Sequence, residues 1–134
     1  MLFSLRVICE QNKKRGMIDM EHIAGNIVKI VASGTLEGAD FSQLSDQVDA
    51  LLKEHEKVRL LINATDFSGW DSMNALTKHF GFVKSHHHRV ERIAFIMGHQ
   101  WQQCLVGAMR MFIHPEVHVF GTGEEVKAES WIKS

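Results

Sequence analysis

The stretch VRLLINA, Val58 to Ala64, constrains the fold more than any other part of the chain. A near-continuous apolar run with one arginine is the pattern of a strand covered on both faces, and such strands belong to parallel sheets packed between helices. Ile27 to Ser33 (IVKIVAS) and Val90 to Met97 (VERIAFIM) read as further strands, with Val117 to Phe120 as a last short one. Met17 to His22 reads as a first strand. It is joined to the second through Ala24-Gly25-Asn26, turn chemistry for an antiparallel hairpin.

Between these strands the apolar period changes to that of helices. Phe41, Leu44, Val48, Leu51 and Leu52 recur at helical spacing, with Asp40 as the expected N-cap and Gln43 three residues later. Thr65 to Asp71 (TDFSGWD) reads as a turn into a second helix, whose buried stripe is expected to be Met73, Leu76, Phe80 and Val83. A third helix starts near His99 or Gln100, turns Trp101, Cys104, Leu105, Ala108 and Phe112 inward, and is stopped by Pro115. A final helix follows Gly121-Thr122-Gly123, with Ala128, Trp131 and Ile132 on its apolar face. The order β-β-α-β-α-β-α-β-α predicts an α/β fold: a mixed, mostly parallel sheet with an N-terminal β-hairpin followed by alternating helices.

A length of 134 residues suits one domain, expected over residues 17–134. The first 16 residues read as a leader or a mis-assigned start, because well-patterned sequence begins only at Met17. Of the two cysteines, Cys9 falls in that leader and Cys104 on the third helix, where packing would make it inert. Two reduced thiols in a cytoplasmic protein are the simpler reading than a disulfide. A formal net charge of −1 excludes a general polyanion binder, so no nucleic-acid partner is expected. No apolar run approaches the ~20 residues that span a bilayer.

Signatures of catalytic chemistry are scarce in the sequence. The chain has no G-x-S-x-G elbow, Walker loop, dinucleotide fingerprint or CxxC pair, so no enzyme and no cofactor are expected. Asp66, Ser68 and His79 can be written as a triad, but nothing in their spacing requires one. In KSHHHR, Lys84 to Arg89, adjacent histidines on a helix point about 100° apart and do not converge on one ion. The segment reads as a solvated, weakly basic helix end, open to anionic lipid or a partner.

Binding surfaces are easier to place. Ser68, Gly69 and Trp70 lie where a buried strand hands over to a helix, near the carboxyl end of the sheet, where open α/β folds hold ligands. Simple capping by Ser68 or Asp71 explains the same residues. Helix two carries extra apolar residues at Ala75 and Phe82, and helix three at Val106, Met109 and Met111. Such a surplus points to a pocket, a homodimer contact or a membrane-facing patch, or else to a fuller core. The candidate ligand site is therefore a cleft between helices two and three. Its residues would be Ser68, Gly69, Trp70, Leu76, Phe80, Trp101, Leu105 and Met109.

The strand and helix order is accompanied by FSGWD at Phe67 to Asp71, KHF at Lys78 to Phe80 and RIAFIMGHQW at Arg92 to Trp101. PEVHVF at Pro115 to Phe120 and AESWI at Ala128 to Ile132 complete the set. In these motifs and their spacing the chain resembles the bacterial SpoIIAA-like (STAS/SEC14-like) family, within the STAS-fold superfamily of anti-sigma-factor antagonists. The resemblance covers roughly residues 17 to 132. It implies a non-enzymatic domain that binds a small apolar or lipid-like ligand, with peripheral membrane association. The alternative it implies is a protein–protein regulatory domain. In the sporulation antagonists a serine in a D-S-S-G run is phosphorylated. Here the run is Asp71-Ser72-Met73-Asn74, so methionine stands at the acceptor position and Ser72 is the neighbouring candidate.

Overall fold

The structure, a computed structural model, describes residues 16–134. The leader reading for residues 1–15, with Cys9, lies outside the described residues. Gly16, the last leader residue, donates its N–H to the Thr35 carbonyl at 2.6 Å.

The elements follow the expected order. Strands β1 (Met17–Ala24) and β2 (Ile27–Leu36) are followed by helix α1 (Gly38–Leu52), β3 (Val58–Trp70) and α2 (Met73–His86). A 3₁₀ turn (His87–Arg89) leads to β4 (Val90–Ile96), α3 (Gln100–Met109), β5 (Glu116–Phe120) and α4 (Glu125–Lys133). The sheet runs β1-β2-β3-β4-β5, with β1 antiparallel to β2 and all other pairs parallel.

Sheet order and handedness decide the layers. Right-handed crossovers that advance one strand at a time place α1, α2 and α3 on a single face. Side-chain alternation then divides the strands. Val28, Ile30, Leu60 and Ile93 pack with Leu44, Val48 and Leu52 of α1 and Val106 of α3. Ile27, Leu61, Ala94 and Ile96 point the other way, onto Ala128 and Ile132 of α4. That second face is edged by charge: Lys29 Nζ reaches Glu125 at 2.6 Å, and Arg59 donates to Glu91 at 2.6 Å and to the Ile132 carbonyl at 3.0 Å.

Several local expectations are corrected. Thr65 to Trp70 is not a turn but the continuation of β3, paired with β2 as far as Leu36↔Trp70. The register slips twice, between Val31 and Ser33 and between Gly34 and Thr35, and each slip gives β3 one extra residue. Ser68 and Gly69, which look like turn chemistry, mark the second bulge instead, with Gly69 at φ 128°. Helix α1 is capped by Glu37, and Asp40 serves from the third helical position, accepting the Glu37 N–H at 2.8 Å. Helix α3 ends at Met109, well short of Pro115.

Both middle helices are also rotated from their expected faces. The buried residues of α2 are Ala75 and His86, while Met73 is 75% exposed and Phe80 55%. In α3 they are Gln102 and Val106, whereas Trp101, Cys104, Leu105 and Ala108 are exposed, as is Phe112 beyond the helix. Met73 and Phe112 lie outward, while Phe80, Trp101 and Leu105 are each only partly covered.

Candidate functional site

Between the sheet and the pair α2–α3 lies a cavity of about 290 Å³. Its floor is Ile30, Leu60, Ile62, Ala64, Ile93 and Phe95 from β2, β3 and β4. Leu76, Phe80 and Val83 come from α2, and Trp101, Leu105, Val106 and Met109 from α3. Apolar cavities of even ~150 Å³ stay dry and accept small hydrocarbons, and this one has room for about ten water-sized groups at ~30 Å³ each.

Of the residues predicted to bind a ligand, Trp70, Leu76, Phe80, Trp101, Leu105 and Met109 all line the cavity. Ser68 and Gly69 do not: they sit in the second bulge of β3, with Ser68 exposed. Ser72 is the N-cap of α2, its hydroxyl accepting the Ala75 N–H at 3.2 Å. Met73 follows it in the first turn.

Sequence reasoning missed the polar residues of the wall. His79 and His86, with Ala75 and Phe82, occupy positions 75, 79, 82 and 86, a helical stripe in its own right. Counting only hydrophobic residues hides it. His86 is 7% exposed, and its Nδ1 lies 2.8 Å from the Phe82 carbonyl. Its Nε2 lies 2.7 Å from Asp49 of α1. The expectation of a solvated histidine run therefore fails at His86, which clamps α2 to α1.

Gln102 is the second missed residue, only 3% exposed. Pairing of β3 with β4 stops at Asn63↔Ile96, and beyond it β3 bulges against β2. The Gln102 amide donates to the carbonyls of Ala64 at 2.8 Å and Phe67 at 3.1 Å, and its oxygen accepts the His99 N–H at 3.3 Å. One side chain thus replaces ladder bonds that the bulged strand lacks.

One end of the cavity is closed by aromatic rings. Phe41 stacks on His79 with centroids 4.6 Å apart, and Trp70 meets Phe67 edge-on at 5.3 Å and Trp101 at 6.4 Å. The Trp70 indole N–H donates to Nδ1 of His79 at 3.0 Å. Burial pushes the His79 imidazole down to about 4, so the ring is neutral at physiological pH. His87, also on the wall, has its pKa lowered by desolvation and then by the neighbouring His88 and His114.

Among the described residues no group of three or more His, Cys, Asp or Glu is placed to hold a metal ion, and no helix is long and apolar enough to cross a membrane. Cys104, expected to be buried, is exposed.

No curated protein matches the chain. Among solved structures, a DUF3478-family protein with a SpoIIAA-like fold from Shewanella loihica PV-4 aligns with a TM-score of 0.73 at 20% identity. The alignment covers 87% of this chain and 93% of that one, and at such identity it speaks for the fold alone. The family itself rests on the sequence: the SpoIIAA-like family model matches residues 27–133, from the start of β2 to the end of α4. With the sheet order and helix layers described above, this match establishes that the chain belongs to the SpoIIAA-like family.

Proposed function

We propose that the protein is a non-enzymatic binding module whose cavity beneath α2 and α3 takes a small apolar or lipid-like molecule. Membership in the SpoIIAA-like family supports a binding or regulatory domain in general. The observation that carries the finer reading is the cavity itself, about 290 Å³ with a wall that is almost entirely apolar. An apolar occupant would take this wall out of contact with water, which is favourable in proportion to the apolar area covered. At its mouth Phe80, Trp101 and Leu105 are each about half exposed, so an occupant would cover them too. The test is native mass spectrometry of the purified protein, followed by titration with 2-nonanone and nonane, read by tryptophan fluorescence. A co-purifying apolar molecule, or saturable binding at micromolar concentration, is expected. Neither one appearing would overturn the reading.

A second reading, peripheral contact with a membrane, rests on Met111 and Phe112. They are 83% and 82% exposed, directly after α3 and next to the basic Arg110. Large apolar side chains beside a cation suit an anionic bilayer surface. Flotation with vesicles of mixed phosphatidylcholine and phosphatidylserine should enrich the protein, and Met111→Ser with Phe112→Ser should abolish the enrichment. Equal flotation of both forms, or none of the wild type, would end this reading.

A further inference from the structure

Four polar side chains reach the cavity wall, and their hydrogen bonds can be counted one by one. His86 has both ring nitrogens engaged, by the Phe82 carbonyl and by Asp49. Gln102 spends its amide protons on Ala64 and Phe67 and its oxygen on His99. His87 uses Nδ1 to accept the His114 N–H at 3.0 Å.

His79 is the most constrained of the four. An indole N–H only donates, so Nδ1 of His79 must accept it and the ring proton sits on Nε2. Phe41 covers one face of the ring and fixes its plane. The Nε2–H has no partner among the described residues, although it belongs to a side chain on the wall of an apolar cavity. Among the described residues no fully buried side-chain nitrogen or oxygen lacks a partner, so this nitrogen is open to whatever enters the cavity, water or ligand.

We propose that the Nε2–H of His79 is the polar anchor of the cavity, and that its ligands are small apolar molecules carrying one hydrogen-bond acceptor, such as a ketone, ester or carboxylic acid. The Trp70 bond selects this class, because it locks the tautomer in which the free nitrogen donates. An acceptor head group would satisfy that donor, while the alkyl chain fills the rest of the space. This inference rests on the cavity binding apolar molecules at all.

The experiment is a two-by-two cycle of wild type and His79→Phe against 2-nonanone and nonane, by fluorescence titration. Both probes match the ~10 groups that the cavity holds. His79→Phe is expected to weaken 2-nonanone about tenfold while leaving nonane within about twofold. His79→Gln, whose amide can both accept from Trp70 and donate onward, should keep most of the ketone affinity. If neither probe binds the wild type, the binding reading itself fails. If nonane binds and the ketone loses nothing in His79→Phe, the anchor is wrong and the binding reading stands. Should His79→Phe fail to fold, ¹H–¹⁵N spectra of the wild-type ring decide instead. The Nε2–H tautomer, with a downfield shift on adding 2-nonanone but not nonane, is expected; an Nδ1–H tautomer or no such shift overturns the proposal.

Discussion

Trp70 and His79 are joined by a 3.0 Å hydrogen bond from indole to imidazole, which ties the far end of β3 to the middle of α2. The bond spans the turn between the two elements, beside the cavity, and it requires a neutral ring on the accepting side.

That requirement has a pH signature. The His79 pKa is lowered by burial from 6.5 to about 4, so between those values the unfolded chain binds a proton that the folded protein does not. Stability from this group is therefore full above about pH 6.5 and falls as pH drops toward 4, by on the order of 3 kcal/mol at most. Urea denaturation at pH 7 and pH 4.5 should show a smaller acid loss in His79→Phe than in the wild type. Equal losses would show that His79 is not a source of the acid sensitivity.

His86 should matter for stability at neutral pH. Its ring fills buried space between α2 and α1 and bonds Phe82 and Asp49 at once. His86→Ala leaves a cavity and removes the link between α2 and Asp49 of α1, with an expected cost of about 2 kcal/mol. For a domain of this size that is a melting temperature lower by about 6–10 °C. Asp49→Asn should cost less than half as much, because the Asp49 side chain is 57% exposed and an amide oxygen can still accept. Thermal melts of both variants give the comparison.

Gln102→Leu tests the bulged end of β3. The substitution conserves bulk but strands the Ala64 and Phe67 carbonyls in an apolar wall, at a cost of about 2–3 kcal/mol. Hydrogen exchange should accelerate most over residues 64–70 and little over β5. A uniform change along the sheet would argue against a local role.

Cys104 sits on the exposed side of α3. Its thiol should react with an aromatic disulfide reagent in the folded protein at close to the rate of an unfolded peptide. Cys104→Ala should shift stability by less than about 0.5 kcal/mol. Protection of the thiol until denaturant is added would place α3 differently.

Periodicity of apolar residues was enough to read the element order, the mixed sheet and the cleft that Leu76, Phe80, Trp101, Leu105 and Met109 share. Those features follow from local spacing: strands repeat every two residues and helices every 3.6, and burial selects for both. Which face each helix turns inward was not legible for α2 and α3. Hydropathy favours Met73 and Phe112, yet the fold leaves both exposed and buries His86 and Gln102, because polar side chains can be buried where partners wait. Those partners are Asp49, 37 residues before His86, and the carbonyls of Ala64 and Phe67, supplied by bulges that glycine and serine disguise as a turn. The sequence by itself determined what the layers are. Only the tertiary structure decided how far α2 and α3 stand from the sheet, because that spacing depends on contacts between residues distant in the chain.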